Sequence, residues 1–292
     1  MAASQVTGAC MDRREALSRL QDEELDILLM FRDFCAERGL GWFLESGSCL
    51  GAIRHQGFIP WDDDVDVGML RPDYERFLEL AEDGLPEGYS LHVYRNTDGY
   101  AAMFAKIYRD GTVFRTRETT EAGCAQGIFI DIFPYDALLP AGDARNRQCR
   151  NAQLWKAVSF LYHAPSITVP DRGLKGAVER LACRVAHRLV RALFRRDDIA
   201  RRWERSINNG SGNPRASEWA LLMGQRVRVF SYDDLFPTRL VPFAGHQLPV
   251  PRDTNGYLER LYGAWERLPA PEERKTHLPL EIVFSDGSAW ES

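Results

Sequence analysis

The residues best suited to chemistry are four aspartates within five positions. Asp62, Asp63, Asp64 and Asp66 lie inside Gly57-Phe-Ile-Pro-Trp-Asp-Asp-Asp-Val-Asp-Val-Gly-Met69. Val65, Val67 and Met69 alternate with Asp64, Asp66 and Gly68. That period predicts a strand with Asp64 and Asp66 on one face and the valines in a core. Two carboxylates held so close repel, and a bound divalent cation or a raised pKa resolves the conflict. A solvated acidic loop is the plainer alternative, since Asp is disfavoured in strands. The interleaved Ile59, Trp61, Val65, Val67 and Met69 argue against it. An EF-hand fails because Val67 stands where the turn Gly belongs and Asp73 where the bidentate Glu belongs.

A second feature precedes the acids. A short apolar stretch, Trp42-Phe-Leu-Glu45, runs into Ser46-Gly-Ser-Cys-Leu-Gly-Ala-Ile-Arg-His55. This reads as a strand, a small-residue turn and two helical turns. A helix N-terminus presents free backbone N–H groups and favours an anion. Gly47 lets a phosphate approach the backbone and the Ser48 hydroxyl can add a hydrogen bond. Alone, a Gly-Ser turn is only a turn. Its order before the paired aspartates puts a phosphate cradle beside a cation, as phosphoryl or nucleotidyl transfer requires.

The third carboxylate, Asp131, interrupts an otherwise apolar strand, Gly127-Ile-Phe-Ile-Asp-Ile-Phe-Pro134. Buried charge needs a partner. A metal shared with Asp64 and Asp66 would supply one; a salt bridge or a retained proton are the structural alternatives. Lys106, on a strand over Ala101–Arg109, reads equally as a phosphate contact or an edge-strand lysine.

The remaining elements frame these groups. Helical spacing of Leu17, Leu20, Ile27, Leu28, Phe31 and Phe34 predicts a helix from Asp12 to Gly39, with Glu24 breaking its apolar face. A helix is expected over Pro72–Ala81, a strand over Ser90–Tyr94, and a hairpin turn at Asp110-Gly111. Ala141–Tyr162 and Gly173–Arg205 read as helices, the second bent near Arg196-Asp197-Asp198. In that helix Val178, Leu181, Val185, Leu189 and Leu193 form one face; Arg180, Arg184, Arg188, Arg191 and Arg195 form another. Asp171 to Arg205 holds eleven basic and five acidic residues. A basic amphipathic helix suits an anionic membrane surface or an anionic substrate; the alternative is a core-packed helix with a solvated arginine face. Asn208–Ala216 reads as a loop, Trp219–Phe230 as a return to the sheet, Phe236–Pro251 as short strands, and Asn255–Gly263 as a short helix.

Composition sets outer bounds. With 45% hydrophobic and 27% charged residues the chain is an ordinary globular sequence, and a net charge of -5 argues against a general nucleic-acid binder. Its 6 cysteines are scattered without a Cys-x-x-Cys pair, so neither a zinc site nor a disulfide framework is expected. No apolar run approaches the ~20 residues that span a bilayer. Residues 1–11 have neither the basic nor the apolar region of a signal peptide and read as a loose tail. The expectation is a cytoplasmic protein, peripheral at the inner face of the membrane through residues 173–205.

The pattern resembles the LicD family, within the nucleotidyltransferase superfamily that shares the DNA polymerase beta-like fold. The resemblance is carried by Gly47-Ser-Cys-Leu-Gly-Ala-Ile-Arg-His-Gln-Gly-Phe-Ile-Pro-Trp-Asp-Asp-Asp-Val-Asp-Val-Gly68 and by Phe129-Ile-Asp-Ile-Phe-Pro-Tyr-Asp136. Tyr257-Leu-Glu-Arg-Leu-Tyr-Gly263, followed by Leu268-Pro-Ala-Pro, adds to it. The helical middle carries no matching motif, and Cys49–Asp63 is long for the superfamily. The resemblance implies an α+β fold: a mixed sheet flanked by helices, with an inserted or appended helical region. The expected divisions are a catalytic core over 12–140, a helical region over 141–210 and a C-terminal part over 211–292 packing back on the core.

It also implies roles. Asp64, Asp66 and Asp131 would be catalytic and hold Mg²⁺ or Mn²⁺. Asp62 and Asp63 would support them. Gly47, Ser48, Arg54, His55 and Lys106 would bind the donor phosphates. The reaction implied is transfer of a phosphorylated alcohol, such as phosphocholine or ribitol phosphate, from a cytidine-diphosphate carrier to a hydroxyl of a glycan or lipid-linked sugar. Transfer of a nucleotide from a triphosphate, and a non-catalytic binding protein on the same fold, are the alternatives. A glycosyltransferase with Asp-x-Asp would need neither the Gly-Ser turn nor the third aspartate.

Overall fold

The computed structural model describes residues 11–164, 174–211, 217–224 and 226–292. Residues 1–10 of the expected tail, Gly173 and residues 212–216 of the expected loop lie outside the described residues, as do the side chains of Val178 and Arg180. Met11, assigned to the tail, is buried in the core.

Helix α1 (Arg13–Arg38) begins where its cap dictates. Asp12 Oδ1 accepts from the N–H groups of Arg14 (2.8 Å) and Glu15 (2.9 Å). The helix ends at Gly39, whose φ of 64° is left-handed and costs glycine little. Its buried face runs Leu17, Leu20, Glu24, Ile27, Phe31 and Phe34. There follow β1 (Phe43–Leu44), α2 (Ser46–His55), β2 (Asp66–Leu70), α3 (Arg71–Ala81), β3 (Tyr89–His92), β4 (Ala105–Arg109), β5 (Val113–Arg115), α4 (Arg117–Ala122) and β6 (Phe129–Ala137).

Among the described residues, five strands run side by side in the order β1-β2-β6-β4-β3. The central pair β2 and β6 is parallel and its neighbours are antiparallel, so the fold is α+β with a mixed sheet. β6 reads as a near-continuous apolar run because it is buried along most of its length. Strand β2 starts at Asp66, two residues later than the alternation suggested, so Asp62 to Asp64 form the approach to the strand.

The Asp110-Gly111 turn exists, with Gly111 at φ 79°, but it does not close a hairpin. Beyond it β5 leaves β4 and pairs with β11 (Glu281–Val283), while β4 pairs with β6. A turn fixes a reversal of the chain; the strand that receives it is chosen by the sheet.

The chain then builds a helical lobe of α5 (Asp143–His163), α6 (Leu174–Leu193) and α7 (Arg196–Ser211), with the expected break at Phe194 and Arg195. A second apolar core, including Ala152, Ile199, Trp203 and Ile207, holds the lobe to Met103 and Leu138. β7 (Glu218–Ala220) returns to the end of β6, and β8 (Val229–Ser231) pairs with it. A short helix α8 (Tyr232–Leu235), the hairpin β9 (Arg239–Phe243) and β10 (His246–Val250), and α9 (Thr254–Tyr262) follow. β12 (Ala289–Glu291) closes the chain against β11.

Candidate active site

Register places the polar side chains in a row. Asp66 is the cross-strand partner of Asp131, Asp131 of Lys106, and Lys106 of His92. At the other end the Glu45 N–H donates to Asp66 O at 2.9 Å. Cross-strand partners share a face. One face of an otherwise apolar sheet therefore carries Glu45, Asp66, Asp131, Lys106 and His92 in order. Lys106 Nζ lies 2.6 Å from Asp131 Oδ1 and 3.2 Å from the Phe129 ring centroid. The ion pair that the sequence left open for Asp131 is present.

Around this row the acids crowd one another. Burial and the neighbouring Asp62, Asp131 and Asp63 push Asp64 up to about 8. Burial and then Asp63 push Asp62 up to about 6. Asp66 is raised well above the carboxylate range by burial, then by Asp64 and Glu45. Burial also raises Asp131, with Lys106 opposing. Asp63 is raised by burial and eased by His277.

Helix α1 contributes a carboxylate that carried no functional assignment. Glu24 has no exposed surface, and among the described residues neither of its carboxylate oxygens has a hydrogen-bond partner. Burial raises its pKa well above normal, with Asp64, Asp63, Asp62 and Asp131 adding to the effect. One turn earlier, Gln21 Nε2 donates to Asp62 O at 2.8 Å, which fixes this face of α1 against the acidic segment. The available signal was the break that Glu24 makes in an apolar helical face.

The Gly-Ser turn opens α2 as expected. Ser48 is buried, and its Oγ accepts the Asp66 N–H at 2.9 Å, tying the helix to the start of β2. Its own hydroxyl proton remains to donate. A Cβ on Gly47 would lie 2.9 Å from Asp62 Oδ2, so glycine here makes room for that carboxylate. Ser46 takes a left-handed φ of 42°, a strained setting for a serine, and its N–H donates to Tyr257 Oη at 3.2 Å. Tyr135 and Tyr257 both donate to Glu45 Oε1, at 3.0 and 3.1 Å. Glu45 and the two tyrosines were also missed; a lone Glu at the end of an apolar strand gives no reason to expect a tyrosine more than 200 residues away.

Arg54 and His55 lie in the last turn of α2, at the opposite end from Gly47 and Ser48. Arg54 Nε donates to His55 Nε2 at 3.1 Å, and its Nη1 donates to Trp265 O at 3.2 Å. Burial and the adjacent guanidinium lower the His55 pKa, consistent with a neutral ring that accepts this bond. The structure thus gathers Gly47, Ser48, Asp62–Asp64, Asp66, Asp131 and Lys106, and sets Arg54 and His55 apart.

Cavities open on both sides of the row. One of about 440 Å³ opens beside Lys106, walled largely by apolar side chains including Tyr100, Ala122 and Phe160. The other, about 370 Å³, opens at Glu45 and Ser46 and is lined by Arg226, Arg228 and Tyr262.

The donors around the row are carboxylate oxygens, the hard ligands that suit Mg²⁺ or Mn²⁺, and Glu24 adds two buried, unpartnered oxygens. In kind they fit a divalent cation. Among the described residues no group of three or more His, Cys, Asp or Glu side chains is arranged to hold one. Asp131 is turned to Lys106 instead.

Residues 39–174 match the family model described as LicD/FKTN/FKRP, nucleotidyltransferase domain. Over 115 residues the chain is 37% identical to the lipopolysaccharide cholinephosphotransferase LicD of Haemophilus influenzae, covering 39% of this chain and 42% of that protein. It is 46% identical over 50 residues to the ribitol-5-phosphate transferase FKTN of Mus musculus, covering 16% and 11%. It is 54% identical over 35 residues to the ribitol 5-phosphate transferase FKRP of Homo sapiens, covering 12% and 7%. The chain thus spans less than half the length of these curated relatives. The family match takes in the Gly-Ser turn and every expected carboxylate, and leaves out Glu24 and Tyr257.

Proposed function

We propose, on the premise that residues 39–174 are a LicD/FKTN/FKRP nucleotidyltransferase domain, that this chain is a phosphotransferase. It moves a phosphorylated alcohol of the choline-phosphate or ribitol-phosphate kind from a cytidine-diphosphate donor to a hydroxyl of a glycan or glycolipid precursor. The observation that carries this reading is the row of Asp66, Asp131 and Lys106 across three neighbouring strands, with the Gly47–Ser48 turn tied to its first member. The relatives, a cholinephosphotransferase and a ribitol-5-phosphate transferase, support the kind of group moved. The DNA polymerase beta-like fold belongs to the same proposal, supported by the mixed sheet and by the placing of these carboxylates on its central strands.

In this reading Asp64, Asp66 and Asp131 would hold Mg²⁺ or Mn²⁺, which would supply positive charge to the diphosphate; to join the set Asp131 would have to turn from Lys106. The α2 N-terminus and the Ser48 hydroxyl orient the phosphate. Arg226 and Arg228 face the nucleotide side of the donor from the smaller cavity. Lys106 stands between the row and the larger cavity, where the alcohol and the attacking hydroxyl fit. Asp131 or one of the extra acids, Asp62 or Asp63, accepts the proton of that hydroxyl. The oxygen–phosphorus bond forms as the bond to the leaving cytidine monophosphate breaks. Arg54 and His55 act at a distance, by anchoring the far end of α2.

The test is donor consumption. The protein is incubated with Mg²⁺, cytidine-diphosphate alcohols and nucleoside triphosphates, with a glycan acceptor and Asp64→Ala as control. Release of cytidine monophosphate from one diphosphate donor, lost in the variant, is expected. Pyrophosphate released from a triphosphate would replace this reading with nucleotidyl transfer.

A further inference from the structure

Helix α6 is apolar on two faces, and the fold uses one. Toward α5 it turns Cys183, Ala186, His187, Val190 and Phe194, all half-buried. Val190 and Phe194 pack on the second core, and His187 Nδ1 lies 2.7 Å from Leu161 O. The opposite face carries Leu181, Val185, Leu189 and Leu193, four residues apart, and these are 56%, 50%, 56% and 73% exposed. This is the face expected in the core if the helix were merely structural. Instead it forms a strip about 18 Å long at 1.5 Å per residue.

Arg184, Arg188, Arg191 and Arg195 run beside the strip, all exposed. At 100° per residue the first three form a second stripe along one edge of the apolar one, and Arg195 follows just past the helix end. Among the described residues none of the four is in a salt bridge. The Arg191 guanidinium lies over the Tyr162 ring at 5.6 Å, so its charge is turned back toward α5, and Arg184, Arg188 and Arg195 make up the outward part of the stripe. The positive charge is local, since the whole chain carries -5.

We propose that this face of α6 is a docking surface for an anionic phospholipid membrane. The leucine strip enters the acyl boundary while the arginine stems extend along it to the phosphates. The basic edge decides between occupants. A second copy brought face to face would set arginines against arginines, and a nucleic acid would leave the leucines in water. An anionic leaflet satisfies both stripes. No described helix is long and apolar enough to cross a membrane, so α6 lies on the surface. The inference does not rest on the proposed reaction, because its readout is binding.

The test uses the full chain in co-sedimentation with vesicles of phosphatidylcholine alone or with about one-third phosphatidylglycerol. At least tenfold stronger partitioning to the anionic vesicles is expected, weakened by salt. Replacing Leu189 and Leu193 with Glu should abolish it. Replacing the four arginines with Gln should remove the preference for anionic lipid. Both variants alter exposed side chains and should keep the melting temperature of the parent. Equal binding to both vesicles, or none, overturns the proposal. So does a lipid-free dimer, seen by light scattering, that Leu189→Glu disperses, since the face would then belong to a second copy.

Discussion

Removing the charge of Asp64 should harm the reaction and help the fold. Asp64→Asn takes one carboxylate from a crowded set, and we expect roughly a 10²–10³-fold loss of donor turnover, the scale of deleting one electrostatic contact in a preorganised site. The same variant should melt no lower than the parent. The sign follows from proton binding. Asp64 and Asp62 rise from 3.8 to about 8 and about 6 in the fold. Between pH ~4 and ~8 the folded chain therefore holds protons that the unfolded chain has released, and this contribution to stability falls as pH rises. Asp64→Asn should flatten that fall in a melting series from pH 5 to 8. Glu24→Gln should behave likewise, raising the melting temperature more at pH 8 than at pH 5, since it removes an unpartnered buried carboxylate but keeps the shape. A lower melting temperature for Glu24→Gln at pH 8 would show that the carboxylate is paired in solution.

At the scale of elements, β1 packs closely along its antiparallel partner β2. A Cβ on Gly68 would lie 2.6 and 2.7 Å from the Phe43 ring and 3.1 Å from Tyr135. On Gly51 it would lie 2.5 Å from the backbone oxygen of Gly57. Gly68→Ala and Gly51→Ala should each destabilise by about 1–3 kcal/mol, the usual penalty of overpacking, readable as a lower denaturant midpoint. These elements were unevenly legible. Asp12 and Gly39 announced both ends of α1, because a capping side chain and a left-handed glycine act locally. The start of β2 was misplaced by two residues, because alternation continues through the extended approach at Asp64. The partner of β5 could not be read at all, since Asp110-Gly111 specifies a reversal and β11 lies more than 160 residues further on. The same holds at the site. The aspartates were visible as a motif, whereas Glu24 and Tyr257 reach it through tertiary packing.

For the whole molecule, the proposed metal site predicts that stability depends on cations. Mg²⁺ or Mn²⁺ should raise the melting temperature, by more at pH 8 than at pH 5, and by about 2–4 °C for each kcal/mol of binding in a chain of this size. An equal gain in Asp64→Asn would remove the cation from this site. The placing of β7 and β11 has another consequence. Both come from beyond residue 174, yet β7 extends β6 and β11 completes the pairing of β5. Before residue 39, α1 supplies Phe31 to the same core. The segment that matches the family model is thus not expected to fold by itself. A gene fragment encoding 39–174 alone should yield aggregated protein, and a useful excision must carry the first helix and the last strands with it.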